Sequence, residues 1–408
     1  MSRKYLDRIF ASNIIGSAFI QSLQKMPEIF DFDQIVDRRN TDASKWEKYK
    51  GTDILPLWVA DSDFAVAPAI QQALNQRVAH DVYGYTETPE RLIELIVDRM
   101  KQRYDWEIDP SWLIFLPGVV NGMNCACRSI GEPGDSVYTP SVVYPPITEA
   151  PANSDRITRP IPMAWTDGRM VMDFEWLKHN PDARGKLLLL CNPHNPGGAM
   201  YREAELAQLT EVAIAQDLVI CSDEIHCELI LDTEKPHIPI GSIEALADRS
   251  MTLMAPSKTF NLAGLSFAFA IVPNRKLRMG LLKAKKGIVP YNGLFGYIAA
   301  QAAYESGDEW NRQQCTYLAK NRDYLLQHIN QIRGLSLGPV EATYLAWIDV
   351  SRLKLEDAPT FFENAGVGMS AGIEFGDNDR MRFNFACPYA TVVEAVARIR
   401  RAVSQLNG

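Results

Sequence analysis

The chain has 408 residues, 47% hydrophobic and 23% charged, with a formal net charge of −8. This suits a globular protein with room for two domains, and the acidic balance without a lysine- or arginine-rich block argues against nucleic acid and anionic membranes as partners. The seven cysteines are scattered and form no Cys-x-x-Cys pair, so neither a disulfide framework nor a structural zinc site is expected. Cys191, Cys221 and Cys387 lie in or beside apolar runs and suit the reduced core thiols of a cytoplasmic protein.

Residues 1–29 superficially look like a signal peptide, with Arg3, Lys4 and Arg8 ahead of Ile9-Phe10 and Ile14-Ile15. Asn13, Ser17 and Gln21 interrupt the apolar run and no Ala-x-Ala site follows. Leu6, Ile9, Phe10, Ile14 and Ala18 fall near helical spacing, which predicts a helical arm packing on the body or on a neighbouring subunit. No apolar run reaches the ~20 residues that would span a bilayer.

Next comes an irregular segment over 30–65 holding one short strand, Ile54 to Val59. Helices are predicted over Ala67 to Arg77 and Glu90 to Arg103, with a turn at Tyr83 to Thr86 between them. From there strand, turn and helix repeat. Trp112 to Leu116, Ser136 to Tyr138, Arg156 to Thr158, Leu187 to Cys191, Leu218 to Cys221, Met251 to Met254 and Ala268 to Val272 read as strands. Val119 to Ile130 and Glu203 to Ala215 read as helices. Near-continuously apolar strands alternating with helices predict an α/β fold whose mostly parallel sheet is covered on both faces. After Pro290 the texture changes. A helical stretch from Tyr297 to Ile332, broken near Gly307, leads to strands at Ala342 to Asp349 and Arg380 to Phe385. Helices at Pro359 to Asn364 and Thr391 to Leu406 complete a smaller α+β part. Gly366-Val-Gly-Met-Ser-Ala371 fits a loose dinucleotide fingerprint but follows no βαβ start, so these are read as loop glycines.

Three motifs close strand-like runs, where an open α/β sheet places its ligand site. They are Asn192-Pro-His-Asn-Pro-Gly-Gly198, Ser222-Asp-Glu-Ile-His226 and Met254-Ala-Pro-Ser-Lys-Thr-Phe-Asn-Leu-Ala-Gly-Leu265. Lys258 sits between apolar segments. Partial burial would lower its pKa and make it a nucleophile able to form a Schiff base, whereas a lone lysine after a strand is more commonly a surface residue.

With these motifs the chain resembles pyridoxal-phosphate enzymes of the aspartate-aminotransferase fold, fold type I, and within them the cystathionine β-lyase branch of the MalY/PatB kind. Phe30-Asp-Phe-Asp33, Leu57-Trp-Val-Ala-Asp-Ser-Asp-Phe64 and Arg382-Phe-Asn-Phe-Ala-Cys-Pro388 add to the likeness, and all six blocks occur in the expected order. The resemblance implies a large cofactor domain over 66–293, a small α+β domain over 294–408 with the 30–65 segment packed on it, and a homodimer with shared active sites. It implies pyridoxal 5′-phosphate on Lys258, Asp223 against the pyridine nitrogen, and Asn195 and His226 at the phenolic oxygen. Val119 and Val120 at a helix start, Ser257, and Tyr85 from a neighbouring subunit are implied at the phosphate, and Tyr144 stacked on the ring. For the substrate it implies Arg382 at the α-carboxylate, with Asn195 and Ala60. Structural alternatives exist for several of these: a helix cap for Asp223, a turn former for Asn195, and Arg380 as a competitor of Arg382. Residue types depart from the family at Ser266, where many relatives carry a phosphate-binding arginine, at Ser62, and at Tyr389. The implied activity is β-elimination from cystathionine or another S-substituted cysteine, with Tyr85 or Tyr144 as proton donor to the leaving sulfur. An aminotransferase is the main alternative, and a regulator that keeps the fold is a further one.

Overall fold

The computed structural model describes residues 28–406. Residues 1–27 of the expected helical arm lie outside the described residues, and Glu28 and Ile29 carry no regular element. The described residues from Phe32 onward form one compact unit.

The strand β1 (Leu55–Pro56) comes first, followed by β2 (Leu113–Leu116), β3 (Ser136–Pro140) and β4 (Ile157–Ile161). A hairpin of β5 (Met163–Thr166) and β6 (Arg169–Met172) intervenes before β7 (Gly185–Cys191), β8 (Val219–Asp223), β9 (Ser250–Met254) and β10 (Ala268–Ile271). Seven of these form one sheet in the order β2-β10-β9-β8-β7-β3-β4. Neighbours from β9 to β4 are parallel, and β10 runs antiparallel to both β2 and β9.

The apolar runs are continuous because both faces are covered. Along β7, Leu187, Leu189 and Cys191 join a core with the helix Val119–Ser129, while Leu188 and Leu190 join another with the helix Glu203–Ala215. Each fully buried leucine contributes about 1.5–3 kcal/mol. The helix Val119–Ser129 approaches the sheet so closely that a Cβ on Gly122 would meet Leu253 Cδ2 at 2.9 Å. Its first turn is thereby set beside the C-terminal ends of β8 and β9.

Helices Leu294–Ser306 and Asp308–Ile329, parted at Gly307, lead to the second sheet. It takes the order β11-β12-β15-β14, from β11 (Ser336–Leu337), β12 (Leu345–Asp349), β14 (Ser370–Ala371) and β15 (Arg380–Asn384), antiparallel throughout. The terminal helix Tyr389–Leu406 packs on Asp308–Ile329. The short β13 (Val367–Gly368) pairs parallel with β1.

Two local readings are corrected and one hairpin is added. The strand expected over Ile54 to Val59 shrinks to two residues because the next carbonyls serve side chains instead of a ladder. Trp58 O accepts from Arg382, Val59 O and Asp61 O from Asn384, and Ala60 O from Lys258. Tyr83 to Thr86 carries no hydrogen-bonded turn. The β5–β6 hairpin was not anticipated, although its loop is Asp167-Gly168, both at positive φ, the pairing a two-residue hairpin loop favours.

Candidate active site

A cavity of about 490 Å³ opens at the C-terminal ends of the central strands. Its walls come from the loop after β2 (Pro117 and Gly118), the residues after β7 and β8, the loop after β9, and β15 of the second sheet. Among the sequence-derived candidates, Ala60, Val119, Val120, Tyr144, Asn195, Asp223, His226, Ser257, Lys258 and Arg382 line it. Tyr85 does not: its side chain is fully exposed, at 107% of its reference area, away from the cavity of its own chain. Trp58, from the Leu57–Phe64 block, also lines the cavity, as do Ser370, Glu374 and Phe375. Nothing in the local sequence marks the last three, because each enters from the segment that the second sheet brings in.

Lys258 Nζ donates to Ala60 O at 2.7 Å, and the Tyr344 hydroxyl donates to the same carbonyl at 3.0 Å. Burial lowers the lysine pKa, aided by Arg382 and opposed by the carboxylates of Asp61 and Asp223. Asp223 ends β8, 3% exposed, and its Oδ1 accepts the Ile225 N–H at 3.1 Å. Burial drives its pKa up from 3.8 to about 7, against the pull of that N–H and of Lys258. Buried His226 has an Nδ1 without a partner among the described residues and stands edge-on to Tyr344, the ring centroids 5.8 Å apart. Burial, with Lys258 and Arg382 nearby, lowers its pKa to about 3, so the imidazole is neutral. The other motif histidine, His194, is a loop post instead: buried, it pairs Nε2 with Val142 O at 2.9 Å.

Arg382 is fixed on four sides. Nη1 donates to Asn195 Oδ1 at 3.0 Å, and Nη2 donates to Trp58 O at 2.7 Å and Ser370 Oγ at 3.2 Å. The guanidinium lies over the Phe375 ring at 4.5 Å. Its Nε has no partner among the described residues. Burial lowers its pKa to about 10, which leaves it cationic at neutral pH. With Oδ1 of Asn195 taken, the amide Nδ2 is free to donate into the cavity. Tyr144, whose N–H donates to Asn195 O at 3.1 Å, is held protonated by burial and by Asp223, both of which raise its pKa. The helix Val119–Ser129 begins without a side-chain cap, so the N–H groups of its first turn face the cavity unpaired by the helix.

A buried lysine of lowered pKa, a buried carboxylate and a fixed guanidinium around one cleft can hold a small anionic amino acid against an electrophile. The chain belongs to the aminotransferase class I and II family, whose model matches residues 52–399. It is 33% identical over 388 residues to cystathionine β-lyase PatB of Bacillus subtilis, covering 92% of this chain and all of that protein. Among solved structures, that titled OvoB superposes with a TM-score of 0.89 at 45% identity, covering 92% of this chain and 99% of the other. Cystalysin from Treponema denticola, which contains a pyridoxal 5′-phosphate cofactor, superposes with a TM-score of 0.88 at 31% identity, covering 93% and 100%. The architecture is accordingly fold type I, a mostly parallel central sheet with helices.

Proposed function

We propose that this protein is a pyridoxal-5′-phosphate-dependent carbon–sulfur β-lyase that releases thiol, pyruvate and ammonia from cystathionine or another S-substituted cysteine. The observation that carries this reading is the convergence of Lys258, Asp223, Asn195 and Arg382 on one cavity, together with similarity to proteins named cystathionine β-lyase over nine-tenths of the chain. Mixing purified protein with cystathionine and no 2-oxo acid tests it. Catalytic appearance of pyruvate and thiol is expected, and turnover that demands a 2-oxo acid and leaves the thioether whole overturns it in favour of an aminotransferase.

The residues present fit the cofactor. Asp223 is a buried carboxyl with little to hold it ionised, which a cationic ring nitrogen would supply. His226 Nδ1, without a partner among the described residues, and Asn195 Nδ2, whose neighbouring Oδ1 is taken by Arg382, would meet the phenolic oxygen. The uncapped helix start at Val119 and Val120, with the hydroxyls of Ser257 and Ser266, suits a phosphate held by neutral donors. When bound, pyridoxal phosphate supplies an aldehyde that condenses with amines and a ring that accepts negative charge from the neighbouring carbon.

The remaining work belongs to the chain. Lys258, its pKa lowered, leaves Ala60 O and takes the proton from the substrate Cα. Arg382 grips the α-carboxylate. A bidentate grip through Nε and Nη2 displaces the Ser370 hydroxyl, the longest of its bonds. Tyr144, protonated and in the wall, delivers a proton to the departing sulfur. Tyr85, exposed on its own chain, is read as reaching the phosphate in the site of a second copy, which makes the working unit a homodimer. Neighbouring exposed apolar groups, Val78, Val82, Tyr83 and Tyr291, support that interface. The two separate sheets support a large domain over 66–293 and a small one over 294–408, with residues 30–65 leading in. Among the described residues no helix is long and apolar enough to cross a membrane, and seven free cysteines suit the cytoplasm.

A further inference from the structure

Four lysine, arginine, aspartate or glutamate side chains line the cavity: Lys258, Asp223, Arg382 and Glu374. In the lyase reading the first three are engaged by cofactor and α-carboxylate, and Glu374 is left without a task. It stands on the single helical turn Gly372–Phe375 between β14 and β15, exposed, and its carboxylate makes no hydrogen bond or ion pair with the described residues. The turn is nevertheless held in place. Phe375 O accepts the Val143 N–H at 3.1 Å, next to Tyr144. Gly376, at φ +101, lies so near the Ser141 backbone that a Cβ would stand 2.5 Å from its carbonyl oxygen. Phe375 itself lies under the Arg382 guanidinium. Glu374 is therefore a positioned charge at the rim of the cavity, beside the group that grips the carboxylate.

Once Arg382 holds the carboxylate and the cofactor holds the amino group, the substrate side chain is the substituent left to run along this rim. We infer that Glu374 selects thioethers whose leaving group carries a cation beyond the sulfur, an ammonium or a protonated base, and disfavours leaving groups that end in a carboxylate. This inference rests on the lyase reading for the direction in which the substrate lies. A rim charge of this exposure yields a modest preference that salt weakens.

The test uses the holoenzyme with S-(2-aminoethyl)-L-cysteine, S-propyl-L-cysteine and S-(2-carboxyethyl)-L-cysteine. The first two have nearly the same shape and differ in charge. The readout is the ratio of kcat/KM values from pyruvate release, in which a general loss of folding or cofactor divides out. The wild type is expected to prefer the aminoethyl over the propyl compound by about fivefold at low ionic strength, and less so in added salt. Glu374→Gln should bring the ratio towards one, Glu374→Asp should retain part of it, and Glu374→Lys should turn the preference towards the carboxyethyl compound. A ratio unchanged in Glu374→Gln overturns the inference. So does a common shift for all three compounds, which would make Glu374 only a modulator of Arg382. If none of the compounds yields pyruvate, the lyase reading falls, and calorimetric Kd values on the same proteins then decide. A preference for the aminoethyl compound that is lost in Glu374→Gln keeps the inference, and equal Kd values end it.

Discussion

Arg382 Nη1 lies 3.0 Å from Asn195 Oδ1, which joins β15 of the four-stranded sheet to the loop after β7 of the seven-stranded one. This bond does two things at once. It aims the guanidinium along the cavity, and by occupying the amide oxygen it turns the Asn195 nitrogen towards the place where the phenolic oxygen is proposed to lie.

Removing Arg382 should therefore raise KM much more than it disturbs cofactor retention. A buried charge pair losing one member costs roughly 2–5 kcal/mol, so Arg382→Ala is expected to lower kcat/KM on the order of 10²-fold or more. Arg380 is the comparison. It pairs with Asp349 at 3.1 Å and Asp377 at 3.2 Å and covers the Trp165 ring, outside the cavity. Steady-state kinetics on both variants check the register of β15, and a larger effect at Arg380 would reject it.

Lys258 is the amine of the cavity, and its contact with Ala60 O sets it there. The purified holoenzyme should be yellow, and borohydride should fix the cofactor on one peptide containing Lys258. Lys258→Ala should lose both the label and turnover, and label recovered on another lysine rejects the assignment.

Asp223 makes the cofactor-free protein sensitive to pH. Its folded pKa is raised from 3.8 to about 7, so between those values the folded state binds more protons than the unfolded one. Stability contributed by this group is thus complete below about pH 4 and falls as pH rises to 7, by on the order of 4 kcal/mol. A cationic ring nitrogen beside the carboxylate offsets the loss. The Tm of the cofactor-free protein is expected to fall between pH 5 and 7 more steeply than that of the holoenzyme. Asp223→Asn should flatten the cofactor-free profile, and identical slopes in all three proteins would remove Asp223 from this role.

Tyr85 tests the shared site. Tyr85→Ala alone should lose most activity and Lys258→Ala all of it, because one lacks a phosphate donor and the other the amine. Mixed after co-refolding, they should regain about a quarter of wild-type activity, since half of the dimers would hold one intact site. No recovery on mixing, with dimers shown by light scattering, would place Tyr85 outside the site.

Much of this was legible locally. Apolar runs of strand length with helices between them predict the parallel sheet, and the structure bears this out within one to three residues at most ends, as at Val119–Ser129 and Glu203–Ala215. The strand-end motifs mark Asn195, Asp223 and Lys258, because a strand end brings its next residues to one edge of the sheet whatever surrounds it. The helix Arg275–Lys285 was missed, since its spacing of charged residues hides the few apolar ones, of which Leu281 alone is buried. Other features depend on segments far apart in the chain. Trp58 to Asp61 cannot be seen to forgo a strand until Arg382, Asn384 and Lys258 arrive to claim their carbonyls. Glu374 carries no local mark at all, and only the packing of its turn on Ser141 and Val143 brings it to the cavity rim. Sequence periodicity reports burial and backbone pairing, which neighbours in the chain impose. Which side chains share a cavity, and with what pKa, follows from desolvation and charge between residues hundreds of positions apart, and only the folded arrangement sets those.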